Sequence, residues 1–131
     1  MAHFRFDATR HTAAVNAALV PQGRYEATII DSLTRMARSG DGRYLQFCLQ
    51  IDRGEHTGRV IFVRLHVGSS NANVRQLAEQ ELAALCEAIS VPRFTSTNKL
   101  HGKRLVIDVG YKQRGGADCV NVVKAYHRLH A

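Results

Sequence analysis

The fold of this chain is decided by residues 44–51, which read YLQFCLQI. The odd-numbered positions are apolar and the even-numbered positions are mostly polar. This alternation with a period of two is typical of a half-buried antiparallel strand, whose apolar face packs on a core while its other face meets water. We therefore predict a strand over residues 43–52.

Two further strands are predicted on either side of this one. Residues 23–33 follow the turn signal Pro21-Gln22-Gly23 and also alternate. Residues 59–67 follow a short connection, 53–58, whose two glycines predict a hairpin. The outer face of this third strand carries Val60, Phe62, Arg64 and His66.

The period of the apolar residues changes after residue 70. Over 72–90 they recur at steps of three and four, which predicts an amphipathic helix that Ser70 or Asn71 caps. A fourth strand follows Gly102. A fifth is predicted at 119–126, after a basic loop at 111–118.

The resulting order of elements is β-β-β-α-β-β. A five-stranded barrel with its helix between the third and fourth strands is the oligonucleotide/oligosaccharide-binding (OB) fold, which binds its ligands on strands two and three and on the 1–2 and 4–5 loops. We therefore expect a mainly β protein with one helix, closed into an OB barrel. Other α+β sheets fit the same order of elements.

Three regions follow from this order: an N-terminal arm at 1–22, the OB domain at 23–126 and a short basic tail at 127–131. The chain has no apolar run of the roughly 18 residues that a membrane span needs, and it begins without a secretory signal. Its three cysteines are widely spaced and predict free thiols in a reducing compartment. We therefore expect a cytoplasmic location and no membrane partner.

Charge is the most informative property of the composition. Lysine and arginine number 18 against 11 aspartates and glutamates, so the net charge is +7. The isoelectric point is near 9.8. A value above about 9 is typical of a domain that binds nucleic acid. An acidic protein partner is the alternative explanation.

The candidate site combines aromatic and cationic side chains. Aromatic rings on a solvent-facing strand can stack on bases of any sequence, and basic loops beside them can contact phosphates. The candidate nucleic-acid-binding residues are Arg35, Arg38, Arg43, Tyr44, Phe62, Arg64, His66, Lys112 and Arg114. The expected ligand is therefore a single-stranded nucleic acid.

No constellation of catalytic residues stands out in the sequence. It contains no Gly-x-Ser-x-Gly elbow, no phosphate-binding glycine-rich loop and no His-Glu-x-x-His motif. The aspartates and glutamates show no pairing typical of a two-metal site. We therefore expect a protein that is not an enzyme and that needs neither a cofactor nor a metal.

Five stretches carry a resemblance to a known family: PQGRY at 21–25, GRYLQF at 42–47, GEHTGRVIF at 54–62, LAALCEA at 82–88 and LHGK at 100–103. Together they resemble a phage family of small proteins, long filed as a domain of unknown function, whose members are regarded as OB-type single-stranded DNA-binding proteins.

The resemblance implies non-sequence-specific binding of single-stranded DNA during phage replication or recombination. It also implies a location in the host cell cytoplasm and replication or recombination proteins as partners. Many replicative single-strand binders end in an acidic tail that recruits partners. This chain instead ends KAYHRLHA, which is basic.

Two other functions stay open at this point. One is an OB-type protein-interaction or structural module that meets an acidic partner, and the other is an RNA binder. A homo-oligomer is also expected, because strand-binding OB proteins commonly pair. Binding to oligo-dT that weakens with salt separates the first alternative from DNA binding, and matched DNA and RNA oligomers separate the second.

Overall fold

The computed structural model describes residues 19–113 and 119–130. Most of the predicted N-terminal arm and Arg114 therefore lie outside the described residues. Within them the chain forms five strands: β1 at Gly23–Met36, β2 at Arg43–Ile51, β3 at Val60–Leu65, β4 at Arg104–Gln113 and β5 at Cys119–His127. One α-helix, α1 at Ala72–Ala88, and a short 3₁₀ turn at Thr97–Leu100 connect β3 to β4.

The five strands form one sheet in the order β3-β2-β1-β4-β5, and every neighbouring pair is antiparallel. The predicted mainly β composition, the single helix and the order of elements are confirmed for the described residues. The predicted closure into a barrel is not found. Strands β3 and β5 are the two edges of the sheet, and they approach each other without forming a hydrogen-bonded ladder.

Two features of the edge strands limit how far they run beside each other. Strand β3 offers only six residues for pairing. Strand β5 carries an extra residue, Lys124, where its register with β4 shifts between Asp108 and Val109. Such a bulge bends a strand and increases its twist. The two edges therefore meet over a short length only.

The core lies between the inner face of the sheet and α1. The alternation in β2 is confirmed: Phe47 and Leu49 are fully buried, and Ile61 and Leu65 of β3 lie beside them. The helix contributes Leu85 to the same cluster. Asn71 caps its first turn, its side chain accepting hydrogen bonds from the backbone amides of the second and third residues that follow. The predicted Asn71 cap is therefore confirmed.

Three predicted boundaries are wrong in ways that affect the site. Strand β1 continues to Met36, so Arg35 lies on a strand and not in the loop predicted at 34–42. Strand β4 continues to Gln113, so Lys112 also lies on a strand. Strand β3 ends at Leu65, so His66 follows the strand that was predicted to contain it.

A bulge in β1 decides which face of the sheet carries Arg35. The pairing of β1 with β2 shifts between Ile29 and Asp31, which leaves Ile30 as an extra residue. Because side chains alternate along a strand, one extra residue moves all later side chains to the opposite face. Arg35 is thereby brought opposite Tyr44 of β2.

Candidate nucleic-acid interface

The outer face of β2 and β3 presents a row of aromatic and polar side chains to solvent. Phe62 stands opposite Cys48 across the two strands, and Arg64 stands opposite Gln46. Phe62 is 55% exposed, as its place on the outer face predicts. Its ring is therefore accessible to a base that could stack on it.

Arg64 is held in place by two neutral neighbours. Its Nε donates a 2.8 Å hydrogen bond to Oε1 of Gln46, whose residue is only 9% exposed. The guanidinium carbon lies 5.7 Å from the centroid of the Tyr44 ring, within the range of a cation–π contact. The ring of His66 lies 5.0 Å from that of Tyr44. Arg64, Tyr44 and His66 therefore form a contiguous row with a fixed cation, in which the two rings are tilted by 45° to each other.

This row of side chains forms one wall of a groove, which we call the arginine groove. It is open to solvent, has a volume of about 750 Å³ and is formed by the end of β1, the β1–β2 loop, the start of β2 and the end of β3. Its lining residues are Arg35, Met36, Ala37, Arg38, Tyr44, Arg64 and His66. Five candidate residues from the sequence are thus brought together from three separate stretches of the chain, at 35–38, 44 and 64–66.

A second groove, the edge groove, runs between the sheet edges β3 and β5 and has a volume of about 470 Å³. Its lining residues are Phe62, Val63, Arg64, Glu81, Tyr111, Lys112, Val122, Val123 and Lys124. It joins Phe62 to Lys112, the candidate on β4. Because Arg64 lines both grooves, they form one path along the outer side of β3.

Two residues of the edge groove, Tyr111 and Lys124, are not among the binding residues predicted from the sequence. Tyr111 is 43% exposed at the end of β4, where a loop was predicted. Lys124 is the bulged residue of β5, and its aliphatic chain lies over Gly110. A Cβ atom at Gly110 would come within 2.7 Å of Lys124 Cε. Tyr111 could have been predicted as a binding residue, because it is an aromatic residue next to Lys112 in a segment predicted to be a loop. Lys124 could not, because no sequence pattern predicts the bulge that orients it.

The structure does not bring Arg43 or Arg114 to these grooves. Arg43 begins β2 and alternates onto the face of Leu45, opposite to that of Tyr44. It does not line either groove. Arg114 lies outside the described residues.

The cations along the path have no acidic partner within residues 19–113 and 119–130. Arg35, Arg38, Lys112 and Lys124 form no ion pair there, and the partner of Arg64 is a neutral amide. Glu81 is the one acidic residue lining the edge groove, and it accepts a 2.6 Å hydrogen bond from the hydroxyl of Tyr126. The two grooves are therefore lined by five lysine and arginine side chains and by one carboxylate, and this excess of positive charge suits a polyanion.

Two further findings concern metal binding and membrane spans in the described part of the chain. It contains no cluster of three or more histidine, cysteine, aspartate or glutamate residues arranged to hold a metal ion. None of its helices is long and apolar enough to cross a membrane.

The fold and the surface together define a small mainly β protein with a basic, aromatic path along one side of its sheet. The chain belongs to the family described as "Protein of unknown function (DUF669)", whose model matches residues 4–131. No curated protein matches the chain. The family match spans all five strands, the helix and both grooves.

Proposed function

We propose that this protein binds single-stranded DNA without sequence preference, along the path formed by the arginine groove and the edge groove. The observation that carries the proposal is the pair Phe62 and Arg64. One is an exposed ring and the other a fixed cation without an acidic partner, and they lie two residues apart on the same face of β3.

The chemistry of the path matches the two components of a single strand. Phe62 can stack on an exposed base, an interaction worth about 1–3 kcal/mol that every base can make. Arg35, Arg38, Arg64 and Lys112 can contact phosphates and release condensed counterions. Because stacking and phosphate contacts do not read base edges, this combination favours binding that is independent of sequence.

The architecture supports an OB-type assignment in particular. OB folds are five-stranded, partly open barrels that bind oligonucleotides on the face of strands two and three and with the 1–2 and 4–5 loops. Here the proposed path follows the outer side of β2 and β3, with the β1–β2 loop at one end and the end of β4 at the other. Together with the resemblance of the sequence to phage single-strand binders, this supports a role in protecting phage replication or recombination intermediates.

A titration of fluorescent oligo-dT at two salt concentrations tests the proposal, with duplex DNA of equal length as the control. We expect the single strand to bind at least about ten times more tightly than the duplex, because a duplex hides its base faces. Equal affinities would contradict stacking and leave only a general polycation. Tighter binding of a matched RNA oligomer would favour the RNA-binding alternative. Absence of salt-sensitive binding would favour an acidic protein partner.

A further inference from the structure

The β1–β2 loop, residues 37–42, carries Arg38 into the arginine groove and is fastened to a different part of the chain. Asp41 Oδ2 accepts a 3.0 Å hydrogen bond from the hydroxyl of Ser69, and its Oδ1 accepts one of 3.0 Å from the backbone amide of Ser70. Hydrogen bonds from Ser70 and then Ser69 lower the pKa of Asp41. The carboxylate is therefore ionised at neutral pH and acts as an acceptor only.

The backbones of the two segments also meet. A Cβ atom at Gly42 would overlap the carbonyl oxygen of Gly68, and the φ of Gly42 is +80°. The amide of Gly68 donates a 3.0 Å hydrogen bond to the carbonyl of Arg43. Only glycine fits at residue 42, both because of the contact and because of the left-handed backbone.

The receiving segment is itself fixed to the helix. Ser69 is only 5% exposed, and its hydroxyl oxygen accepts a hydrogen bond from the amide of Asn71, the cap of α1. Arg75 of the first helical turns donates a 2.9 Å hydrogen bond to the carbonyl of Ser69. The loop is thus tied through Asp41 and Ser69 to the rigid start of α1.

We propose that Asp41 is a positioning residue for single-strand binding: its hydrogen bonds to Ser69 and Ser70 hold the β1–β2 loop so that Arg38 faces the arginine groove before the strand arrives. This inference rests on the proposed function. Fixing a cation in advance removes part of the ordering cost that binding would otherwise incur.

The sign of the effect separates positioning from simple electrostatics. Asp41 is a negative charge beside a path for a polyanion, so Coulomb's law alone predicts that its removal strengthens binding. The positioning role predicts that its removal weakens binding. The two explanations therefore give opposite results for the same substitution.

The experiment compares three variants of the full chain in titrations of fluorescent oligo-dT. Asp41→Asn removes the charge and weakens the clamp, whereas Ser69→Ala leaves the charge unchanged and removes the hydroxyl that bonds both Asp41 and the amide of Asn71. Both should bind about threefold to tenfold more weakly than the wild type. The control is Glu55→Gln, which removes an equal charge from the connection at the opposite end of β2 and should bind as tightly as the wild type or slightly more tightly.

A double-mutant cycle with Arg38→Ala measures the coupling between Asp41 and Arg38 in the affinity for oligo-dT. A general loss of structure would not produce such coupling. If Asp41 acts by positioning Arg38, then Asp41→Asn should cost little further affinity once Arg38 is gone. Additive losses in the cycle would overturn the proposal. Thermal melting of the same samples shows whether each variant is folded. If Asp41→Asn is unfolded, the affinity of Ser69→Ala decides the test.

The remaining outcomes distinguish this inference from the function on which it rests. If the wild type binds oligo-dT, and Asp41→Asn and Ser69→Ala both bind it equally well or more tightly, the inference is overturned and the proposed function stands. No binding of oligo-dT by the wild type would overturn both.

Discussion

Two regions of the sheet's outer face use their arginines in different ways. At the start of β1 and along β4 the arginines form ion pairs. Arg24 Nε lies 2.8 Å from Asp108 Oδ1. Arg104 Nη2 lies 3.4 Å from Glu26 Oε1, and Arg104 Nε lies 3.3 Å from Asp52 Oδ2. We call this side the paired face. On the outer side of β2 and β3, Arg64 is bonded to a neutral amide.

The paired face shows what the same side chains do when they serve the fold. Arg24 and Asp108 are directly opposite each other in the β1–β4 register, so their ion pair joins two strands. Exposed pairs of this kind add little to stability, because solvent screens the two charges. Such pairing neutralises the cation locally. The difference teaches that the cations along the two grooves keep their charge available for a ligand.

The largest effect should come from a comparison of two phenylalanines on adjacent strands. Phe47 of β2 is fully buried, whereas Phe62 of β3 faces solvent. Phe47→Ala should lower the free energy of unfolding by about 3–5 kcal/mol, because it removes a large core side chain and leaves a cavity. Chemical denaturation measures this loss. A change below about 1 kcal/mol would mean that the faces of β2 are assigned wrongly.

Phe62→Ala should leave the free energy of unfolding nearly unchanged and weaken binding of oligo-dT by about 1–3 kcal/mol. The reason is that its ring has little protein to pack against and a base to stack on. Titration and denaturation of the same variant measure both quantities. Unchanged affinity with unchanged stability would remove Phe62 from the site.

The sequence predicts Phe47 and Phe62 on opposite faces because the pattern in β2 and β3 is local and regular. It does not predict the bulge at Ile30, since residues 29–31 read Ile-Ile-Asp and either isoleucine can occupy the inner position. That bulge decides which side of β1 carries Arg35. The sequence therefore names Arg35 as a candidate but does not predict the strand or the face that presents it.

The open edge and its groove are also beyond local sequence information. Whether β3 and β5 form a ladder depends on contacts between segments about 60 residues apart. Tyr111 and Lys124 join Phe62 only because those edges approach each other without pairing. Both are missed when each strand is considered alone.

The third prediction compares cations on the two sides. Arg64→Ala and Arg38→Ala should each reduce the slope of log affinity against log salt by about 0.7, the value for one lost phosphate contact on a single strand. Arg24→Ala, on the paired face, is the matched control and should leave the slope unchanged. Affinities for oligo-dT at four or more salt concentrations supply the slopes. An equal reduction by all three variants would mean that binding follows net charge alone.

The smallest effect concerns pH and belongs to the paired face. Hydrogen bonds from Arg24 and then from His127 lower the pKa of Asp108 from 3.8 to about 2. A carboxyl whose pKa is lower in the folded protein than in the unfolded chain stabilises the fold above its unfolded pKa. That contribution is lost as the pH falls through the folded pKa. The wild type should therefore lose stability between about pH 4 and about pH 2.

Asp108→Asn should show a smaller loss of stability over that range, and thermal melting at intervals of pH measures the difference. The lowered pKa of Asp41 contributes equally to both proteins, so the difference between wild type and variant isolates Asp108. Identical pH profiles would show that Asp108 gains nothing from Arg24 and His127. The arginines of the two faces would then differ only in whether an acid lies nearby, and not in whether that acid holds the fold together.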